Sequence, residues 1–146
     1  MGGMNRAYVA PSYQDHLTQN VGRAIPDVSF NADPSTGFAV YTIGQDSKTR
    51  WQVVGGTSAG APQWAAMIAI ADQFRAVPLS GEAFEPQNAL YAAGNIAMFD
   101  VIDGRNGPCD KCTAGVGFDF ATGLGSPRPG IIEVLVGSST PAVAQR

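Results

Sequence analysis

The string Gly55-Gly56-Thr57-Ser58-Ala59-Gly60-Ala61-Pro62 constrains the fold of this chain more than any other feature. It follows the β-branched and aromatic run Trp51–Val54 and precedes Gln63–Arg75, whose apolar residues fall at helical spacing. Two adjacent glycines permit a sharp turn, and Pro62 suits the first turn of a helix, where its missing N–H costs nothing. The pattern predicts a strand, a tight turn and then a helix.

Ser58 stands at this predicted junction, where a nucleophilic hydroxyl could act. The end of a strand holds a side chain rigidly, and the free N–H groups of a helix N-terminus favour negative charge. A serine also needs a base and a group that stabilises the developing charge. The alternative is that Thr57 and Ser58 only cap the helix, and the triplet taken alone favours capping.

Hydrophobic and turn-forming residues predict the remaining elements. Phe38–Ile43 and Trp51–Val54 flank the polar run Gly44–Lys48 and predict a hairpin. Residues 103–130 are rich in Gly, Pro, Asp, Asn and Thr and predict a long ordered or metal-held loop. Further predicted elements are a short helix after Pro11–Gln14, a buried strand or strand end at Ile25–Phe30, a helix at Pro86–Ala93, a short strand at Phe99–Ile102 and a last helix at Ile131–Val136.

Composition indicates a packed globular domain and excludes some partners. The 146 residues are 45% hydrophobic and 14% charged, which predicts one domain over residues 1–136 and a flexible tail over 137–146. The net charge of −3 and nine scattered Lys and Arg residues argue against nucleic acid and against a polybasic membrane patch. The longest apolar run, Ala65–Ala71, is too short to span a bilayer.

Cys109 and Cys112 form a Cys-x-x-Cys pair in a loop context. A zinc site needs two more such ligands, and the single histidine, His16, is remote in sequence. A redox motif belongs at a helix start, which Gly107-Pro108 disfavours. A small loop disulfide, or two thiols without a role, is therefore favoured.

Three separate motifs resemble the sedolisin family of serine-carboxyl peptidases, relatives of the subtilisins. They are the Gly-Thr-Ser-Ala-Gly-Ala-Pro string, the upstream segment Ile25–Gly37, and Ala114–Pro127 together with Asp100-Val101. They occur in family order between about Pro11 and Ile132. The resemblance implies an α/β, subtilisin-like fold, a parallel sheet with flanking helices, of which only the C-terminal part is present.

The resemblance also assigns roles to individual residues. It implies that Ser58 is the nucleophile of an acid-acting endopeptidase or tripeptidyl peptidase, with a peptide or protein as substrate and secretion as the location. It implies a Ca²⁺ site whose ligands are Asp100, Val101, Gly115, Gly117 and Asp119. Calcium prefers such a set of carboxylate and carbonyl oxygens. A solvated glycine-rich loop is the alternative, and Asp103 and Asp110 are expected to be solvated loop charges.

The catalytic Glu and Asp of the family and its oxyanion Asp lie upstream of the serine and have no counterpart here. No glutamate precedes Glu82. Asp27 and Asp33 belong to a segment expected to be structural, and His16 belongs to no motif. We therefore expect little activity from this chain without the N-terminal part of the domain. The opening residues carry no signal pattern and resemble the middle of a sequence, as an internal start, a truncated gene or a shortened chain would.

Three other interpretations remain open. A non-catalytic secreted calcium-binding remnant of the same fold would be expected to have lost the nucleophile, whereas Ser58 is intact. A subtilisin-like peptidase fragment would require an upstream histidine base, and the calcium loop argues against it. A gene relic without function is the last alternative.

Overall fold

A computed structural model describes residues 2–137 as short strands and helices joined by long ordered loops. No helix in this described part is both long and apolar enough to cross a membrane. Short 3₁₀ turns lie at Ser12–Gln14, Gly94–Ile96 and Asp110–Cys112. The strands are β1 Gly3–Asn5, β2 Arg23–Ile25, β3 Phe38–Ile43, β4 Thr49–Val54, β5 Met98–Phe99 and β6 Ser126–Pro127, and the helices are α1 Asp15–Thr18, α2 Thr57–Asp72, α3 Glu85–Ala93 and α4 Ile131–Val136.

The strands form three two-stranded antiparallel sheets, β1–β2, β3–β4 and β5–β6. Helices and strands mix along the chain, in agreement with the predicted α/β class. The resemblance also predicts a parallel sheet, but every strand pair that the structure describes between residues 2 and 137 is antiparallel. The connection between β3 and β4 is too short for the crossover of about a dozen residues or more that parallel neighbours need.

The chain divides into two compact units, of which one is Phe30–Ala66. This unit contains the predicted hairpin, which is confirmed, with Phe38 opposite Val54 and Ile43 opposite Thr49. The Gly44 N–H donates to the Lys48 carbonyl at 2.9 Å and closes the turn. On one face the rings of Tyr41 and Trp51 lie 5.3 Å apart, and Trp51 remains 69% exposed. This cross-strand aromatic pair stabilises the register.

The other unit comprises the described residues up to Ser29 and from Met67 onward. Helices α3 and α4 pack together, and Leu90, Met98 and Leu135 are buried in its core. Arg75 donates from its guanidinium to the carbonyls of Leu135 at 3.3 Å and Val136 at 2.8 Å. These carbonyls have no donor within the helix, so Arg75 closes the C-terminus of α4.

Helix α2 begins six residues earlier than the sequence predicts and ends three residues earlier, at Asp72. The predicted place of Pro62 in the first turn is therefore wrong, because Pro62 lies inside the helix. Gly56 adopts a φ of +88°, and its carbonyl accepts the Ala59 N–H at 2.9 Å, which starts the helix beside the glycine pair. Since proline has no N–H, the Ser58 carbonyl lacks its usual donor four residues on.

Other predicted elements differ from the structure mainly at their ends. Helices at 86–93 and 131–136 are confirmed, as is the short helix after Pro11–Gln14. The strand predicted at Ile25–Phe30 is present only as the end of β2, and Pro26 offers no N–H to continue it. The strand predicted at Phe99–Ile102 shifts to β5, Met98–Phe99. Except for Gly137, the predicted tail lies outside the described residues.

Shortening Ile131 should test the core at the start of α4. Ile131 is 6% exposed, so Ile131→Ala should lower the free energy of unfolding by about 2–4 kcal/mol. Ile96→Ala is the matched control, because Ile96 is 79% exposed and should change it by less than about 0.5 kcal/mol. Urea denaturation measures both values. Equal effects of the two substitutions would contradict the burial of Ile131.

Candidate active site and cation loop

Ser58 is exposed in the first turn of α2, directly after the turn that ends β4. The Gly56 N–H donates to the Ala32 carbonyl at 2.7 Å, which holds this turn against the upstream segment. At Gly55 a Cβ would lie 2.5 Å from the Pro34 Cα, so a side chain has no room there. The glycine pair thus permits close backbone contact and presents Ser58 to solvent beside a helix N-terminus.

Asp33 belongs to the turn that supports this junction. Its carboxylate accepts the Ser35 N–H at 2.9 Å and the Thr36 hydroxyl at 3.2 Å, while its own N–H donates to the Asn31 side chain. The Ser35 N–H lowers the pKa of the Asp33 carboxyl, which makes it a weaker base. These contacts agree with the structural role expected for Asp33.

Asp100 and Asp119, both predicted calcium ligands, are held against the same glycine-rich loop. The Gly117 N–H donates to Asp100 Oδ2 at 2.7 Å, and the Gly115 N–H donates to Asp119 Oδ2 at 3.1 Å. Gly117 has a φ of +83°, a conformation that glycine adopts without strain. Val101 follows Asp100 directly, so the structure brings the predicted ligand residues into one place.

The Asp119 carboxylate is also anchored from its C-terminal side. Its Oδ1 accepts the N–H groups of Ala121 and Thr122, each at 2.8 Å, and the Thr122 hydroxyl lies 3.2 Å away. Asp100 differs, because its Oδ1 is buried and accepts no hydrogen bond from the described residues. A buried carboxylate oxygen without a partner is costly, and a cation is one way to satisfy it.

The donor set favours calcium over transition metals. Two carboxylates with neighbouring backbone carbonyls offer only hard oxygen atoms, which suit Ca²⁺. Among residues 2–137, no group of three or more His, Cys, Asp or Glu side chains could hold a metal ion.

Asp27 lies in a polar cluster that the sequence did not predict. Its Oδ1 accepts the Gln14 side-chain N–H at 3.1 Å and the Tyr91 hydroxyl at 2.9 Å, and its Oδ2 pairs with Arg23. Gln14 is fully buried, and its Oε1 accepts the Ala24 N–H at 2.9 Å. The ring of Tyr13 packs against that of Tyr91 in a tilted arrangement, with ring centres 4.7 Å apart and planes inclined by 48°.

The environment of this cluster keeps its tyrosines neutral. Burial, followed by the nearby charge of Asp27, raises the pKa of Tyr13 to about 12 and also raises that of Tyr91. All the Asp27 contacts support a structural role, in agreement with the sequence interpretation. A sequence signal for this cluster is weak, since Gln14 and Tyr91 are far apart along the chain and neither lies in a motif.

The cysteine pair forms a disulfide within the loop. Cys109 and Cys112 are bonded, in agreement with the favoured interpretation. On either side of it, the Asn106 N–H donates to the Cys112 carbonyl at 2.9 Å, and the Ala114 N–H donates to the Gly104 carbonyl at 2.9 Å. The disulfide thus closes a small hairpin-like loop that leads directly into Gly115.

Comparisons with known proteins identify relatives over most of the chain. Kumamolisin from Bacillus sp. (strain MN-32) is 35% identical over 137 residues, which cover 86% of this chain and 23% of kumamolisin. Sedolisin from Pseudomonas sp. (strain 101) is 32% identical over 127 residues, which cover 86% of this chain and 21% of sedolisin. No family model matches the chain. The chain spans less than a quarter of the length of these relatives.

A solved structure shows the same relationship. Pseudomonas sedolisin, a serine-carboxyl proteinase complexed with two molecules of pseudo-iodotyrostatin, superposes with a TM-score of 0.65 at 28% identity, over 92% of this chain and 35% of the sedolisin chain. The fold is therefore part of the subtilisin-like α/β fold of the serine-carboxyl proteinases. With the sequence relatives, this match shows that the chain belongs to the sedolisin family.

A side chain at Gly123 should disrupt the loop that holds Asp119. A Cβ there would overlap the Asp27 carbonyl and lie 2.7 Å from the Val28 nitrogen, all backbone atoms. Gly123→Ala should therefore lower the free energy of unfolding by about 3 kcal/mol or more, from backbone strain plus overlap.

Gly130→Ala is the matched control for this substitution. Gly130 also has a positive φ, of +100°, but nothing lies within 4 Å of its Cβ position. It should show only the cost of backbone strain, about 1–2 kcal/mol. Thermal or urea unfolding compares the two variants. A Gly130→Ala loss as large as that of Gly123→Ala would contradict the close contact with Asp27.

Proposed function

We propose that this chain forms the part of an acid-acting serine peptidase that carries the nucleophile, Ser58, and a structural calcium site. The observation that carries the proposal is the exposed Ser58 at the strand–helix junction, in a chain related to serine-carboxyl peptidases. Its substrates would be peptides or proteins. Secretion agrees with the family and with a loop disulfide, which persists in oxidising compartments.

Ser58 needs a partner to act as a nucleophile. A serine hydroxyl is weak at its ordinary pKa and becomes reactive when an adjacent base accepts its proton. Asp33 is committed to a turn and Asp27 to the polar cluster, so neither carboxylate is free for this role. We propose that the Glu–Asp base pair and the oxyanion Asp come from sequence outside these 146 residues. The chain alone would then have little activity.

The calcium site would stabilise the loop that follows the disulfide. Carboxylate oxygens of Asp100 and Asp119 and carbonyls of Val101, Gly115 and Gly117 would hold the ion. The unpartnered Asp100 Oδ1 supports this proposal, and so does the close approach of both carboxylates to the loop backbone. Two negative charges balance those of Ca²⁺, whose binding would relieve the cost of burying the Asp100 oxygen.

Calcium should stabilise the chain through Asp119. Wild-type protein should melt at a higher temperature with Ca²⁺ than with a chelator. At a free Ca²⁺ concentration a hundredfold above Kd, binding should raise the free energy of unfolding by about 2.7 kcal/mol. Asp119→Ala should lose this increment. Asp103→Ala should keep it, because Asp103 is exposed and its carboxylate accepts only the Gly104 N–H in the described structure. An unchanged calcium increment in Asp119→Ala would show that the assigned site is wrong.

The role of Ser58 can be tested in a completed domain. We suggest replacing the matching segment of kumamolisin with this chain and assaying peptide hydrolysis at acid pH. Ser58→Ala should lower kcat by a factor on the order of 10⁶, as loss of a nucleophile does. Ser35→Ala, the same substitution at an exposed turn serine, should leave kcat nearly unchanged.

Two outcomes of the chimera assay, and one assay of the 146-residue chain alone, are informative. Activity that persists in Ser58→Ala would refute the nucleophile assignment. A folded, calcium-binding chimera without any activity would instead favour a non-catalytic calcium-binding remnant of the family. Activity of the 146-residue chain by itself would show that its base lies within the chain.

A further inference from the structure

Both the side chain and the backbone carbonyl of Asp27 accept hydrogen bonds, and their partners lie in different segments of the chain. The side chain is held by Gln14, Arg23 and Tyr91, as described above. The Asp27 carbonyl accepts the Leu124 N–H at 2.8 Å, in the segment that follows Asp119. A side-chain cluster is thereby connected, through one residue, to the glycine-rich loop of residues 115–119, called the cation loop after the calcium site proposed above.

The backbone contact is close and continues along the segment. Gly123 packs directly on the Asp27 peptide, where no side chain would fit. Two residues further, the Ser29 N–H donates to the Gly125 carbonyl at 2.8 Å. On its other side Gly125 lies against the Phe99 carbonyl, and a Cβ there would be 3.2 Å from the Asp100 Cα. The segment after Asp27 therefore supports the peptides next to both carboxylates.

Asp119 is tied to the same segment by paired backbone bonds. The Gly123 N–H donates to the Asp119 carbonyl at 2.9 Å, and the Asp119 N–H donates to the Gly123 carbonyl at 3.2 Å. A displacement of Gly123 must therefore displace Asp119. A second connection exists, because the Tyr91 ring lies 6.4 Å from the ring of Phe118, the residue before Asp119.

We propose that Asp27 is a positioning residue for the cation loop, which it holds through Gly123 and Leu124 in the geometry that binds calcium. The proposal rests on the calcium site proposed above. Arg23, Gln14 and Tyr91 fix the Asp27 carboxylate, and the Asp27 peptide in turn fixes the backbone that presents Asp119. Groups outside the ligand shell commonly alter metal affinity by orienting the ligands.

Calcium titration of an isosteric variant tests this role. Asp27→Asn keeps the size of the side chain but removes the charge that pairs with Arg23. The Kd for Ca²⁺, measured by isothermal titration calorimetry on the 146-residue chain, should rise about tenfold. Asp46→Asn is the matched control, because Asp46 also pairs with an arginine, Arg50, but does so at an exposed i,i+4 site in the hairpin of the unit Phe30–Ala66. Its Kd should equal that of the wild type.

Hydrogen exchange in the metal-free protein separates positioning from general destabilisation. In Asp27→Asn the Leu124 amide, which donates to Asp27, should exchange on the order of tenfold faster. The Val134 amide, which donates to Gly130 in the same unit, should keep its rate. Equal acceleration of both amides would mean that Asp27 serves only global stability, which would overturn the proposal.

The remaining outcomes are distinguishable. Wild-type binding with an unchanged Kd in Asp27→Asn overturns the positioning role and leaves the calcium site intact. Absence of calcium binding in the wild type overturns both. Should Asp27→Asn fail to fold, Tyr91→Phe decides. It keeps the ring and removes a hydroxyl that donates to Asp27 and accepts from Gln14. Its Kd should rise about fivefold, and an unchanged Kd overturns the proposal.

Discussion

Close backbone contact at glycines is the constraint on which the rest of the structure depends. Gly55, Gly123 and Gly125 each lie where a Cβ would overlap main-chain atoms of another segment. Main chains this close exchange hydrogen bonds directly, as between Gly56 and Ala32 and between Leu124 and Asp27. Chemistry-bearing residues lie beside these contacts, so their positions are set by backbone and depend little on flexible side chains.

One short stretch of sequence, residues 27–36, contacts both the turn before Ser58 and the segment that follows the cation loop. Residues 27–29 bond to the backbone of Leu124 and Gly125, and residues 31–36 form a turn in which the Ala32 carbonyl accepts the Gly56 N–H. This stretch carries two carboxylates, those of Asp27 and Asp33, and their partners differ. Asp27 is neutralised by Arg23, whereas Asp33 is exposed and stabilised by N–H and O–H donors. The donors around Asp33 lower the pKa of its carboxyl, so that carboxylate is a poor proton acceptor.

Local patterns made much of the fold predictable from sequence. The hairpin, α3 and α4 follow from alternating or helical apolar spacing between neighbouring residues, and the motifs located Ser58 and the residues around Asp100 and Asp119. The start of α2 was missed because Pro62 suggested a first turn, while Gly56 begins the helix earlier. The Asp27 cluster was missed because its members are distant in sequence, and only tertiary packing brings Tyr91 to Gln14. Pairing of the short strands has the same long-range origin.

The bond between Asp27 and Leu124 has a consequence for synthesis on the ribosome. Residues 27–29 emerge well before their partners at 123–125, and the β3–β4 hairpin emerges between them. The β3–β4 hairpin pairs near neighbours and can form within microseconds of its appearance. The contact at Asp27 must wait and then close a long loop at an entropic cost. Nascent chains would thus form the hairpin before the contact between Asp27 and Leu124 that supports the cation loop.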